Sequence, residues 1–140
     1  MRVKRENLFH LIEPMLPHVE KPSRYLNHEW GAVEEQEGPF HVCMVYADVY
    51  EVGQPNLGIA ILYNALNKAP HISCERAYLP WVDMAALMRK RNVPLLSLEG
   101  AASLASFDVV GFTLAHEMIA TNIIETLDLA GIPMLAEERD

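Results

Sequence analysis

The stretch from His41 to Lys68 constrains the fold more than any other part of the chain. "HVCMVYA" (His41–Ala47) is short, continuous and apolar, the pattern of a strand covered on both faces, as in a parallel sheet. A polar loop with two glycines follows, Asp48 to Gly58. Over Asn56–Lys68, Leu57, Ile61, Leu62, Ala65 and Leu66 then recur at helical spacing, with Asn56 or Gln54 as the N-cap region. The unit repeats. Ser73–Leu79 reads as a second strand. Pro80 and Trp81 open a helix with Val82, Met84, Ala85, Leu87 and Met88 on its inner face, ending at Arg89–Asn92 before Pro94. A short apolar piece, "PLLSLEG", leads to a third strand at Phe107–Leu114, and the helix of "MIATNIIETLDLAG" is closed by Gly131. Ile132–Leu135 reads as the start of a fourth strand. Strand–helix alternation of this kind predicts an α/β parallel sheet with right-handed crossovers. A sheet ending on a newly started strand suggests a piece of a longer chain, with an open edge on which a second molecule could pair.

Residues 1–40 carry a different pattern. Leu8, Leu11, Ile12 and Met15 are helically spaced, but Pro14 and Pro17 kink or end that helix early. "KPSRYLNHEWGAVEEQEGPF" reads as an extended arm closed by Gly38-Pro39, with Tyr25 and Trp30 expected to tuck against the body. The division is therefore 1–40, helix and arm, and 41–140, the sheet domain.

Bulk chemistry narrows the function classes. A net charge of −8 and a pI of about 5.2 argue against nucleic-acid binding, which needs a basic face. The basic cluster Arg89-Lys90-Arg91 fits a solvated helix C-terminus. Glu6, His10, Glu13 and Pro14 interrupt the N-terminal apolar positions, so no signal-peptide core forms, and no apolar run approaches a membrane span. The two cysteines, Cys43 and Cys74, sit in separate strand-like runs and read as buried free thiols, so a cytoplasmic location is expected. Two thiols make neither a zinc ribbon nor an iron–sulfur ligand set.

Ligands of such sheets lie beyond the carboxyl ends of the strands. Two segments converge there: Asp48–Gly58 and Thr113–Glu117. In the first, Gly53 and Gly58 are spaced like P-loop glycines, but Ile59-Ala60 stands where Lys-Ser/Thr would be. Asp48 and Glu51 oppose a bare anion, and Asp48 either faces a ligand or caps the loop. In the second, His116 and Glu117 either bind a ligand and move a proton, or place a glutamate at a helix N-terminus beside a solvent-facing histidine. No nucleophile–base pair is readable from spacing, so the residues themselves give no catalytic apparatus.

Four separated stretches, "KPSRYLNHEWGAV", "YADVYEVGQPNLGIAILYNALN", "ERAYLPWVDMAALMRKRNVPLLSLEG" and "FDVVGFTLAHEMIATNIIETLDLAGIP", together resemble the N-terminal domain of a large family of radical SAM proteins. That domain is similar to a degenerate cobalamin-binding domain. Ala47 departs from the family's proline before Asp48. The resemblance implies a three-layer Rossmann-like sheet (flavodoxin-like or cobalamin-binding-like), order 2-1-3-4, truncated at its C-terminal edge. It implies an accessory domain, not itself an enzyme. The [4Fe–4S] cluster and S-adenosylmethionine then belong to a catalytic barrel of the same polypeptide. Cobalamin or a nucleotide-like ligand stays open as an alternative, although Tyr50 stands where base-off binders carry the cobalt-ligating histidine, and Thr113 and Ala115 stand near the S-x-L pair lining the nucleotide tail. A stand-alone interaction module is a further alternative. The expected contacts of the missing barrel are Tyr50, Glu51, Asn56, His116 and Glu117, within a ligand-face set that also holds Asp48, Gly53, Gly58 and Thr113. A homo-oligomer through the exposed edge is a second expected partnership.

Overall fold

The computed structural model describes residues 5–33 and 39–139. The prolines act early. Helix α1 (Phe9–Ile12) stops after one turn, and Glu13–His18, with Pro14 and Pro17, continues as 3-10 turns. A further 3-10 turn spans Pro22–Tyr25. Strand β1 (Phe40–Tyr46) is followed by a one-turn helix α2 (Tyr50–Gly53) and by α3 (Leu57–Asn67). Then come β2 (Ile72–Tyr78), α4 (Val82–Arg91), β3 (Val109–Thr113) and α5 (Ile119–Ala130). The sheet is parallel with order β2-β1-β3. Val42 of β1 lies between Cys74 and Val109, and Tyr46 between Tyr78 and Thr113.

Alternation along β1 divides the core. Cys43 and Val45 are fully buried in one cluster with Met84 and Met88 of α4, Leu129 of α5 and Leu104. Ile12, Met15 and Val19 complete that cluster, so the N-terminal segment packs into the same core as the sheet. Val42 and Tyr46 face the other way, onto Tyr63 and Ile59 of α3. Each such fully buried apolar side chain contributes about 1.5–3 kcal/mol relative to exposure. Two left-handed residues end the long helices. Asn92 (φ 53°) follows α4, and Gly131 (φ 66°) follows α5, where the Ile132 amide bonds the Leu127 carbonyl at 2.9 Å.

The two sheet edges differ. On β2, the Asn67 carboxamide accepts from the Cys74 amide (2.9 Å) and donates to its carbonyl (3.0 Å). One position pair further along, the Arg76 amide donates to Glu99 (2.7 Å) and its carbonyl accepts from the Leu98 amide (2.7 Å). This edge is sealed by a side chain and a loop. β3 carries no charge and no proline in Val109–Thr113, so nothing in its own residues blunts its outer edge.

Three expectations are corrected. Val82 does not lie on the inner face of α4, whose buried residues are Met84, Ala85 and Met88; it is 70% exposed. No fourth strand forms at Ile132–Leu135. Ile132 packs onto the main core, Ala136–Glu138 makes a 3-10 turn, and Arg139 donates to the Pro133 and Met134 carbonyls (2.6 Å each), which are thereby withdrawn from any ladder. The order is 2-1-3, not 2-1-3-4. Trp30 does not tuck against the body: it is fully exposed beside Gly31 (φ 79°), whereas Tyr25 does pack on the core. Gly38 of the expected arm closure lies outside the described residues.

Candidate functional site

The carboxyl ends of β1 and β3 are brought together by packing. Tyr46 and Ala47, ending β1, share one buried cluster with Ile59 near the start of α3 and Ile119 at the start of α5. The two expected loops therefore open on the same end of the sheet.

The first loop is folded onto its own protein. The Asp48 carboxylate accepts from the Val49 amide at 2.7 Å. Asn56 caps α3 as its sequence position predicts, its Oδ1 accepting from the Ile59 amide at 3.1 Å. Gly53 is buried, and a Cβ there would meet Tyr78 ring carbons at 2.6 and 2.7 Å, so glycine is required by close approach rather than by backbone angle. Gly58 is exposed, with only the Asn56 side chain near its missing Cβ. The Tyr50 ring meets Tyr78 edge to face at 5.5 Å, and its hydroxyl donates to Glu29. Burial and the Glu29 carboxylate push the Tyr50 phenol up to about 12. Glu51 accepts from Lys21 Nζ (2.6 Å) and Arg24 Nε (2.9 Å to each oxygen), and these cations hold its carboxyl down at about 2.

The second loop is different. Thr113 is half-buried at the end of β3, while Leu114, His116, Glu117 and Met118 are exposed ahead of α5. The His116 and Glu117 carbonyls accept from the Ile119 (3.2 Å) and Ala120 (3.1 Å) amides, which begins the helix.

The residue types that sequence reasoning missed lie behind the first loop. Arg76 of β2 is buried with two carboxylates. Its Nη2 donates to Glu29 at 2.5 Å and its Nε to Glu99 at 2.7 Å, while its guanidinium lies 4.4 Å from the Tyr63 ring centroid. Burial raises the Glu99 carboxyl above its ordinary range even though Arg76 pulls it down. Next along β2, buried Glu75 accepts from Ser97 Oγ (2.5 Å) and the Gly100 amide (3.0 Å), and pairs with Arg5. The available signal was the pair Glu75-Arg76 inside a run otherwise reading as a buried strand: charges there must be partnered.

Fit to the cofactors of the resemblance follows from donor chemistry. Cys43 and Cys74 are buried on neighbouring strands, and burial drives both thiols up, Cys74 to about 12. Two protonated, enclosed thiols do not fit a [4Fe–4S] cluster, which needs thiolates. Among the described residues, no group of three or more His, Cys, Asp or Glu is placed to hold a metal ion. Tyr50, held protonated against Glu29 and Tyr78, does not fit the role of a cobalt ligand.

The fold defines an α/β domain built on a parallel sheet, in which Asp48, Tyr50, Glu51 and Asn56 of the first loop are engaged internally and His116 and Glu117 of the second are exposed. A family model described as radical SAM proteins, N-terminal, matches residues 58–140. That is more than half of the chain, and the chain belongs to this family. No curated protein and no solved structure matches it. No helix among the described residues is long and apolar enough to cross a membrane.

Proposed function

We propose that this chain is an accessory domain of a radical SAM enzyme, a Rossmann-like unit that docks through the carboxyl-end rim of its sheet onto a catalytic barrel carried by the same cytoplasmic polypeptide. One observation carries the reading: four large apolar side chains are exposed on that rim, two after β1 and two after β3. Val52 and Leu57, after β1, and Leu114 and Met118, after β3, are exposed, Leu57 by 71% and Met118 by 81%. Exposed apolar groups that lie together on one end of a sheet support an interaction surface there. His116 and Glu117 stand in that rim with exposed side chains, and on this reading they are its polar contacts to the barrel. Tyr50, Glu51 and Asn56 shape the wall from behind. The barrel would hold the [4Fe–4S] cluster and S-adenosylmethionine, which the cysteines here do not fit.

The test uses the polypeptide that contains both parts. Leu57→Asp with Met118→Asp should loosen the domain contact, seen as new protease cleavage between the parts and lost S-adenosylmethionine cleavage, without unfolding either. Unchanged protection and turnover would refute the docking surface. Glu117→Ala separately tests the wall, which fails if product formation is unaffected.

A second contact rests on the edge asymmetry. β2 is sealed by Asn67 and the Leu98–Glu99 segment, and β3 carries no charge or proline that would block pairing, which supports pairing of β3 with another strand, in this chain alone from a second copy. Sedimentation showing a monomer at every concentration would exclude it.

A further inference from the structure

Helix α3 is apolar on both of its sides. Its buried residues are Ile59, Tyr63 and Asn67. The side turned to solvent carries Leu57, Gly58, Ile61, Leu62 and Ala65, whose spacing puts them on one face. Ile61 is 57% and Leu62 47% exposed. Single exposed leucines are ordinary, but a contiguous face of them is not. A surface helix turns charge outward, and one that is apolar all round is covered all round. The other two long helices obey this rule: α4 carries Asp83 and Arg89-Lys90-Arg91, and Arg89 pairs with Glu125 and Asp128 of α5. By contrast, α3 lies wholly within 52–67, the longest stretch of the chain without Asp, Glu, Lys or Arg.

The geometry points to a second copy of this chain as the cover. The outer face of α3 pairs with the same face of the second copy, the two helices running antiparallel about a two-fold axis at Ile61. Charge favours a copy of the chain at this place. At a net charge of −8 two copies repel, and they approach with least cost where neither presents a charge. Shape favours it too. A two-fold interface sets the same patch against itself, and counting outward from Ile61 sets Leu57 against the partner's Ala65, a large side chain against a small one, with Gly58 leaving room beside it. At each rim the pairing brings the exposed Lys68, which follows α3, toward the partner's Glu51, so opposite charges meet outside the apolar centre. Leu57 stands where this face joins the carboxyl-end rim. Ile61, Leu62 and Ala65 lie beyond it, so the pairing rests neither on the rim docking onto a barrel nor on the β3 edge.

Cys43 and Cys74 are both buried, so a cysteine introduced on the outer face of α3 is the reactive thiol of the folded chain. Ile61→Cys should give a disulfide-linked dimer on mild oxidation with diamide, because the two substituted positions meet on the axis. Leu57→Cys and Ala65→Cys should each cross-link poorly alone and well when mixed, which only the antiparallel alignment allows. The parent chain should associate with a dissociation constant that is roughly micromolar or weaker, since a pair of 11-residue helices buries less than a standard interface. Ile61→Glu sets two carboxylates on the axis and should weaken association at least about tenfold in sedimentation. Ile61 is exposed, so this variant should fold as the parent does, and its thermal unfolding at low concentration checks that. A parent chain that stays monomeric up to about 1 mM would overturn the pairing. Association unchanged by Ile61→Glu would overturn it as well and assign the contact to the β3 edge. Cross-linking through Ile61→Cys that occurs in this chain but not in a polypeptide carrying the barrel would assign the face to the barrel, and equally overturn it.

Discussion

Replacing Arg76 by methionine should be among the most damaging single changes to this fold, and its cost should grow with pH. The guanidinium bonds Glu29 at 2.5 Å and Glu99 at 2.7 Å, and the side chains of all three groups are almost wholly buried. Methionine fills much of the same volume but leaves two enclosed carboxylates without their cation. Breaking a buried ion pair by removing one partner costs about 3–5 kcal/mol. The contact with the Tyr63 ring, 4.4 Å from the guanidinium, adds roughly 0.5–2 kcal/mol to what is lost. A domain of this kind is held by only about 5–15 kcal/mol in total. The pH dependence follows from Glu99. Its carboxyl already stands above the ordinary value of 4.5 in the folded protein because of burial, with Arg76 opposing the rise. A carboxyl raised in the folded state contributes stability that is present below its unfolded pKa and lost as pH climbs through the folded one. Without Arg76 the folded value rises further, each added unit costing about 1.4 kcal/mol above it. The loss in Arg76→Met should therefore be small at about pH 4 and reach its full ~3–5 kcal/mol near pH 7. Urea unfolding at the two pH values measures it. The triple variant Glu29→Gln, Arg76→Met, Glu99→Gln should be more stable than the single one at neutral pH, because no charge is then stranded. A loss below about 1 kcal/mol, or one equal at both pH values, would refute the reasoning.

Gly53→Ala should destabilise by about 1–3 kcal/mol, because its Cβ would lie 2.6 Å from Tyr78 Cδ1 and 2.9 Å from Tyr46 Cβ; thermal unfolding checks this, and a neutral effect would mean that the Tyr78 ring moves freely. Glu51→Gln should cost less than about 1 kcal/mol, since the pair with Lys21 and Arg24 is partly exposed. The Glu51 carboxyl is depressed to about 2, so its contribution is present above the unfolded pKa and fades as pH falls from about 4.5 toward 2. The variant and the parent should accordingly converge in stability in acid.

Much of the fold was legible because it rests on local period. β1, β2 and β3, α3 to α5, the Asn56 cap and the Gly131 stop are each written in a window of a few residues, although Leu57, Ile61 and Leu62, whose spacing marks α3, are exposed and its buried face is Ile59, Tyr63 and Asn67. The failures are non-local. Ile132–Leu135 has the composition of a strand start, but its conformation is decided by Arg139 binding the Pro133 and Met134 carbonyls and by Ile132 turning into the core. Trp30 is apolar by type, yet its neighbour Glu29 is the residue drawn inward. The Glu29–Arg76–Glu99 network could be suspected from the charges in β2, but its members are 47 and 23 positions from Arg76. No spacing rule reaches that far.

The same network bears on what the loop after β1 can do. A loop that performs chemistry needs at least one polar group oriented but not consumed. Here Asp48 is taken by its neighbour's amide, Tyr50 by Glu29, Glu51 by Lys21 and Arg24, and Asn56 by the first turn of α3. The arm supplies three of the partners, Lys21, Arg24 and Glu29, and Arg76 in turn anchors Glu29 to the sheet. In this arrangement, the arm ties down the acidic and aromatic groups of a polar, glycine-containing loop and leaves Val52 and Leu57 among its outward groups. Polar groups already held, with apolar ones among those facing outward, suit docking, since less conformational entropy remains to be lost on contact. On the proposal above, the domain contributes shape and water exclusion to a site whose reacting groups lie on the barrel, with His116 and Glu117 as its own polar groups facing that boundary.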